Sequence, residues 1–204
     1  MFTGIIETVG LVERIEANKL NLSFWISSTL TDELKVDQSL CHNGVCLTIE
    51  ETNGQMHKVT AIAETLQKTN LGDWQGGTMI NLERCMQMNG RLDGHLVQGH
   101  VDTTAECLNT IEKEGSWEYT FCIEKKFSSL IIEKGSITLN GISLTIFNIS
   151  ESNFTVAIIP YTFNHTNMQF IKESSRVNIE FDIIGKYVNR VKELEHIQNI
   201  INVK

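Results

Sequence analysis

The heptapeptide NGVCLTI, Asn43 to Ile49, returns later in the chain as NGISLTI, Asn140 to Ile146. The copies stand 97 residues apart. The same shift lays Thr65, Thr69 and Asn70 over Thr162, Thr166 and Asn167, and Asn81 and Glu83 over Asn178 and Glu180. It also lays Phe24 and Ile26 over Phe121 and Ile123. At the amino end the shift is 95: MFTGIIET lies over LVQGHVDT, Leu96 to Thr103, so Gly4 meets Gly99 and Glu7 meets Asp102. Two residues therefore enter between that block and Phe24. One offset held over most of a half marks a tandem duplication, and the period is too long for a solenoid repeat.

Two similar domains of just under 100 residues follow, with the boundary near MNGRLDG, Met88 to Gly94, where Gly and Asn punctuate the chain. The expected units are 1–90, 91–184 and a tail, 185–204. Phe154, Val156 and Ile158 alternate with other residues, as do Val59, Ala61 and Ala63, which is the period of a strand. Asn-Gly at 43–44, 53–54 and 140–141 supplies hairpin turns. Short helical pieces fit STLTDELK and FSSLII. Many short strands with few helices predict an all-β fold, a small barrel or sandwich in each half. In the tail, Val188, Val191, Leu194, Ile197 and Ile201 recur at helical spacing. That helix has no counterpart in the first half. It packs either on its own barrel or against other copies of the chain.

Composition excludes several partners. The net charge is −8 with no Lys/Arg cluster, which argues against a nucleic-acid groove or an anionic membrane; Lys125-Lys126 is an isolated solvated pair. The start, MFTGIIETVG, lacks the basic and apolar regions of a secretory leader, and no apolar run is long enough for a bilayer. The expected location is the cytoplasm. Five scattered cysteines without a C-x-x-C give neither a disulfide framework nor a zinc site. The N-x-S/T triplets at Asn21, Asn148, Asn153 and Asn164 are read as by-products of composition. No phosphate loop, G-x-G-x-x-G or H-E-x-x-H occurs.

Chemistry-bearing residues gather in GHLVQGHVD, which holds His95 and His100. Five residues apart, they fall on opposite faces of a strand and cannot chelate together. His95 is read as a turn or strand residue bonded to backbone. Cys46 stands where the second copy has Ser143, with Thr48 and Thr145 two residues on. Each half thus has a strand face with two small hydrogen-bonding groups, a pocket wall or ordinary solvent-facing polarity. Thr65 and Thr162 could cap short helices, and Pro160, the only proline, ends a strand. Asp182 and Lys134 differ in kind from their counterparts Cys85 and Asp37, each an unequal job for the two copies or a surface ion pair.

Together MFTGII, NGVCLTI, ETLQKTNLG, NLER, GHLVQGHVD, KGSITLNGISLTI and NIEFDIIGKYV resemble the riboflavin synthase family of the alpha-chain type, from Met1 to about Val191. The resemblance implies two tandem six-stranded antiparallel Greek-key barrels plus a C-terminal helix, and a homotrimer assembled through that helix. It implies a dismutation, the last step of riboflavin biosynthesis. Two molecules of 6,7-dimethyl-8-ribityllumazine exchange a four-carbon unit, giving riboflavin and 5-amino-6-ribitylamino-pyrimidinedione, with no metal or redox cofactor. By the same resemblance the first barrel binds through Gly4, Ile5, Ile6, Cys46, Leu47, Thr48 and the run Thr60, Ala61, Ile62, Ala63, Glu64 and Thr65. The second binds through Gly99, His100, Val101, Lys134, Ser143, Leu144, Thr145 and the run Ala157, Ile158, Ile159, Pro160, Tyr161 and Thr162. The implied chemical group is His100 for proton transfer, Ser143 or Cys46 at the nucleophile, and Asp182 positioning them. Gln38, where the second copy has Gly135, predicts a different turn. Tyr161, where the first copy has Glu64, alters the second barrel's ribityl contacts. The alternative is a non-catalytic lumazine- or flavin-binding optical carrier. A β-barrel oligonucleotide binder is a third class, opposed by the acidic charge.

Overall fold

The computed structural model describes residues 1–202, with side chains through residue 198. The first half contains β1 (Thr8–Asn18), β2 (Asn21–Ser27), β3 (Ser39–His42), β4 (Val45–Thr48), β5 (Glu51–Thr52), β6 (Met56–Ala61), the short helix α1 (Ala63–Lys68) and β7 (Met79–Arg84). The second contains β8 (Thr103–Lys113), β9 (Ser116–Cys122), β10 (Ser136–Leu139), β11 (Ile142–Phe147), β12 (Asn153–Ile158), α2 (Pro160–His165) and β13 (Arg176–Phe181), followed by α3 (Ile183–Asn202). STLTDELK and FSSLII form single 3-10 turns, Thr31–Glu33 and Lys125–Leu130.

The second half is a closed barrel of order β10-β11-β12-β9-β8-β13. Because β9 pairs with β12 and not with its sequence neighbour β10, the connection is a Greek key. The first half has the same order with one strand broken: β4 and β5 together occupy the place of β11. Across the break Glu50 N–H still bonds Lys58 O at 2.9 Å, so the ring is continuous there. β1 is bulged between Val12 and Arg14, and β8 between Cys107 and Asn109. These are equivalent positions, and the extra twist of a bulge helps a sheet curl.

Strand pairing corrects the alignment of the halves. Val12 faces Ile26 while Cys107 faces Phe121, and Ile15 faces Phe24 while Thr110 faces Tyr119. The shift of 95 therefore persists through β2, and Phe24 corresponds to Tyr119, not Phe121. The two added residues enter after this strand. A slip of two leaves every side chain on its original face, which is why the sequence match looked sound.

Each barrel has its own apolar core. Phe24, Ile26, Val59, Ile80 and Leu82 fill the first, and Phe121, Ile137, Phe154, Val156 and Ile179 the second. The two Asn-Gly turns join them. Asn43 and Gly44 have φ of 47° and 83°, Asn140 and Gly141 of 45° and 84°, the left-handed pair that a two-residue hairpin needs. A Cβ on either glycine would lie 2.9 Å from the other's backbone N. Around this contact Asn43, Asn70, Asn81, Asn140, Asn167 and Asn178 are all buried. Asn81 N–H donates to Asn43 Oδ1 (2.7 Å), and Asn178 N–H to Asn140 Oδ1 (2.8 Å). Across the halves Asn81 Nδ2 donates to Asn140 O (2.9 Å) and Asn178 Nδ2 to Asn43 O (2.8 Å). Asn167 N–H donates to Asn81 Oδ1 and Asn70 N–H to Asn178 Oδ1, both at 2.7 Å.

The first core carries a pair of histidines that the second lacks. His42 and His57 are fully buried where the second half has Leu139 and Phe154. His42 Nδ1 lies 3.0 Å from Leu40 O, and His42 Nε2 lies 2.9 Å from His57 Nε2. With His42 Nδ1 donating to that carbonyl, His57 Nε2–H donates to His42 Nε2, and His57 Nδ1 has no partner. Both rings are therefore neutral. Burial lowers both, His57 to about 4 and His42, also opposed by the charge of His57, well below its ordinary value.

α3 is held at its first turn by Lys186, whose Nζ is 2.8 Å from Asp102 Oδ2. Along the helix Ile184, Tyr187, Val188, Val191, Leu194 and Ile197 are exposed; the expected side chain of Ile201 and the end of the tail lie outside the described residues. Among the described residues no helix is long and apolar enough to cross a membrane.

Two outcomes test this account. Asn81→Ala strands buried partners in both halves. At about 1–3 kcal/mol for each such group, urea unfolding should show a loss of roughly 3 kcal/mol or more. The histidine pair sets a pH dependence. Unfolded imidazoles take protons near pH 6.5 and the folded ones refuse them, so the pair's contribution is complete above pH 6.5 and falls as pH drops towards 4. Stability of His42→Leu/His57→Phe measured from pH 7 to 4 should lose less than that of the parent chain.

Candidate active site

Strand pairing lays out one outward face on each half. In the first, Cys46, Cys41 and Glu83 form one row across β4, β3 and β7. Thr48 faces Ser39 two residues on, and Cys85 Sγ reaches Ser39 O at 3.4 Å. In the second, Ser143, Thr138 and Glu180 form the matching row, with Thr145 facing Ser136. Leu47 points into the core between Cys46 and Thr48, as does Leu144 between Ser143 and Thr145.

The segments ahead of β1 and β8 cross over. Ser143 N–H donates to Gly4 O at 2.8 Å, and Cys46 N–H donates to Gly99 O at 2.9 Å. A Cβ on Gly4 would stand 2.6 Å from Ser143 Cβ, and one on Gly99 would stand 2.6 Å from Cys46 Cβ. Both glycines have φ of 79°, so space and backbone alike require glycine. Ile6 packs on the second core and Val101 on the first. The grouping implied by sequence is thus corrected. Gly4 and Ile6 lie against the second half, and Gly99, His100 and Val101 against the first, while Ile5 is exposed beside Ser39 and Cys85 of the first half. An offset between repeats cannot reveal an exchange of arms, because both arrangements give the same alignment.

His95 is the residue the sequence reading undervalued. It bonds side chains rather than backbone: Nδ1 is 2.6 Å from Ser143 Oγ and Nε2 is 3.1 Å from Thr138 Oγ1. Its backbone N–H donates to Thr3 O. Gly94 makes this approach possible, since a Cβ there would stand 2.1 Å from Thr3 O. Burial lowers the His95 pKa, and the Asp182 carboxylate opposes this by raising it. The ring is therefore neutral at pH 7, with one nitrogen donating and one accepting, and both hydroxyls can complement either form. Asp182 is fixed by the Ile184 N–H at 2.9 Å, in the first turn of α3. The signal that could have found His95 was the Gly-His pair immediately ahead of the segment that aligns with Met1.

The four residues expected to act together divide. Ser143 and Asp182 belong with His95 in the second half. Cys46 and His100 line a cavity of about 240 Å³ in the first, with Glu64, Thr65, Lys68 and Val101. Burial raises the Cys46 thiol, against a hydrogen bond from Ser39. A larger cleft of about 600 Å³ runs past Ile5, Ser39, Cys85 and the Arg84–Glu7 and Arg84–Glu33 ion pairs. The hydrogen-bonded chemistry lies at the crossed rows, and those form the candidate site.

The flanking runs are placed as follows. Thr60 Oγ1 is 2.8 Å from Ser23 Oγ and donates to Glu50 at 2.9 Å. Ala61 is buried, Ile62 exposed, and Ala63 opens α1. In the second half Ile158 is buried between Ala157 and the exposed Ile159, and Pro160 opens α2. Thr65 and Thr162 do not cap; Thr69 and Thr166 do, accepting from Leu71 N–H and Met168 N–H. Tyr161 is exposed and stacks on His165 at 4.1 Å, where Glu64 instead pairs with Lys68. Lys134 lies over the Phe147 ring at 5.4 Å and in no ion pair among the described residues. The turns at Gln38 and Gly135 are alike, contrary to expectation. Ile49 N–H bonds Gln38 O and Ile146 N–H bonds Gly135 O, both at 2.9 Å. Glycine is needed only in the second, where a Cβ would stand 2.5 Å from Ile132 Cγ1. No cluster of three His, Cys, Asp or Glu able to hold a metal ion occurs among the described residues.

A duplicated barrel with two such faces is the form of a lumazine-binding protein, and residues 3–85 and 98–182 each match the family model of the lumazine binding domain. The chain is 38% identical to the riboflavin synthases of Bacillus amyloliquefaciens and Bacillus subtilis over 191 residues, 93% of this chain and 89% of theirs. It is 39% identical to that of Actinobacillus pleuropneumoniae over the same shares. The chain belongs to the riboflavin synthase family. The solved structures of LumP with riboflavin and with 6,7-dimethyl-8-(1'-D-ribityl) lumazine superpose with TM-scores of 0.83 and 0.82. They cover 89% of this chain and 99% of theirs at 23% and 21% identity, a likeness of fold.

The environment of His95 has a direct test. Asp182→Asn removes the charge that raises it, so its titration, followed by NMR of the ring, should move to lower pH.

Proposed function

We propose that this chain catalyses the riboflavin synthase reaction, converting two molecules of 6,7-dimethyl-8-ribityllumazine into riboflavin and 5-amino-6-ribitylamino-pyrimidinedione. The observation that carries the reading is identity of 38–39% to riboflavin synthases along 93% of the chain. Residues 1–90 and 91–184 each take one lumazine, and 185–204 serve assembly. The twin faces explain why the heptapeptide occurs twice: two copies of one substrate must be held in opposed orientation. Holding reactants in register can supply about 7–11 kcal/mol of a barrier at best.

The two faces take unequal roles. Thr138, Ser143 and Asp182 stand where the first half has Cys41, Cys46 and Cys85. The neutral His95, between two hydroxyls, is suited to move a proton at pH 7. Ser143 orients or activates the nucleophile added at C7 of one lumazine, and Asp182 sets the ring's basicity. His100 and Cys46 serve the other lumazine, whose C7 methyl gives up a proton. The 240 Å³ cavity at Cys46 is smaller than the 300–1,000 Å³ usual for such ligands, so one chain leaves the site open. We place the reacting pair between the first half of one subunit and the second half of its neighbour. The exposed apolar face of α3 is available for assembly between copies, which we take to be a homotrimer working in the cytoplasm. An optical carrier is the weaker reading, since the LumP structures share only 21–23% identity.

Purified protein mixed with the lumazine should gain riboflavin absorbance. His95→Ala and His100→Ala should each lower turnover, by about 100-fold or more for a group that transfers the proton, with the trimer mass unchanged. Binding without turnover by the parent chain would favour the carrier. Unchanged turnover in either variant would remove that histidine from the chemistry.

A further inference from the structure

Two buried carboxylates remain unused by this mechanism. Glu83 and Glu180 are 3% and 2% exposed, in equivalent strands. Neither has a salt-bridge partner among the described ion pairs. Burial raises both pKa values, opposed by the hydrogen bonds each receives. Those bonds all come from the crossing arms. Glu83 Oε1 accepts from Thr3 N–H and Thr3 Oγ1, both at 2.6 Å, and Oε2 from Gly4 N–H at 3.0 Å. Glu180 Oε1 accepts from Gln98 N–H at 2.6 Å and Oε2 from His100 N–H at 2.7 Å.

Each arm is thus gripped by the barrel it precedes and lies on the other barrel's face. Gly4, whose N–H bonds Glu83 directly, is the residue whose carbonyl receives Ser143 N–H. Gly99, between the two residues that Glu180 grips, receives Cys46 N–H. Thr3 O also receives the N–H of His95. We infer that Glu83 and Glu180 are positioning residues acting crosswise: Glu83 sets the second-half face around His95 and Ser143, and Glu180 sets the first-half face around Cys46 and His100. The inference uses the reading that these faces are the two lumazine sites only for its consequence in catalysis. The mechanical link stands on the hydrogen bonds alone.

An amide in place of either carboxylate turns one acceptor into a donor that opposes a backbone N–H. The arm must then move, and it can move only against the opposite face. The test needs reporters confined to each face and independent of turnover. For the second face the reporter is the ring ¹⁵N spectrum of His95. For the first it is the alkylation rate of Cys46 by iodoacetamide, measured by peptide mass over a pH series and compared as the rate of the thiolate, so that loss of a nearby charge does not alter the reading. Glu83→Gln should shift the His95 signals and leave the Cys46 rate within about twofold. Glu180→Gln should raise the Cys46 rate about tenfold and leave His95 unchanged. Should Glu83→Gln fail to fold, Thr3→Val, which keeps the carboxylate and removes only the hydroxyl link, should shift His95 in the same direction to a smaller extent. Variants that disturb only the reporter of their own half, or both reporters equally, would overturn the crosswise assignment. Loss of riboflavin formation without this pattern would bear on the catalytic reading and not rescue the inference.

Discussion

The contact of two Asn-Gly turns on the pseudo-two-fold axis governs the rest of the molecule. Each turn needs a left-handed pair of residues, and each glycine is pressed against the other's backbone. The six buried asparagines around it leave few unsatisfied groups because each answers its counterpart across the axis. A side-chain amide offers one acceptor and two donors, which lets one residue both accept from and donate to the other barrel. Asn81 does both: its Oδ1 accepts from Asn167 N–H while its Nδ2 donates to Asn140 O. Aspartate would lack the donor. The relative placement of the barrels is therefore fixed by directional bonds at the axis, joined by the apolar crossings of Ile6, Val101 and the Phe2–Val97 cluster.

From that axis the crossing of the arms follows. The turns place Val45-Cys46 and Ile142-Ser143 immediately beside it, so the segment entering each barrel passes over the other's first row. Phe2 N–H and Val97 N–H each bond the other's carbonyl, and the two arms thereby form a small antiparallel bridge of their own. Glycine at 4 and 99 and glycine at 94 are consequences of how closely backbone runs over the Ser143 and Cys46 side chains.

The duplication, the strand-rich halves, the terminal helix and the family were legible because they depend on pattern: fixed offsets, alternation, and the turn chemistry of Asn-Gly. What stayed hidden depends on which half a segment touches. Gly4 and Gly99 align with each other whether or not they exchange places, so alignment could not show that each lies on the face of the other barrel. The register of β2 stayed hidden because a two-residue slip preserves the inward face. His95 was passed over because it has no counterpart in the first half, and repeat comparison rewards only what is repeated. The His42–His57 pair was likewise silent, since alternation marks those positions as inward without saying that imidazoles can satisfy one another there.

The differences between the halves matter as much as the likeness. Under the offset of 97 the second half's Thr138, Ser143 and Asp182 answer to three thiols, Cys41, Cys46 and Cys85. A hydroxyl beside a neutral imidazole and a carboxylate can pass a proton along a hydrogen-bonded chain. A thiol raised by burial and without a histidine bonded to it is a poor relay and a better fit for packing against a ring. If two identical substrates are to leave as two different products, one must donate four carbons and the other must receive them. Equal sites would give no reason for either to do so. The proposed dismutation thus draws on both halves of the evolutionary event: copying, which holds two lumazines alike, and divergence at two strand positions, at Asp182 and at His95, which makes their surroundings unequal.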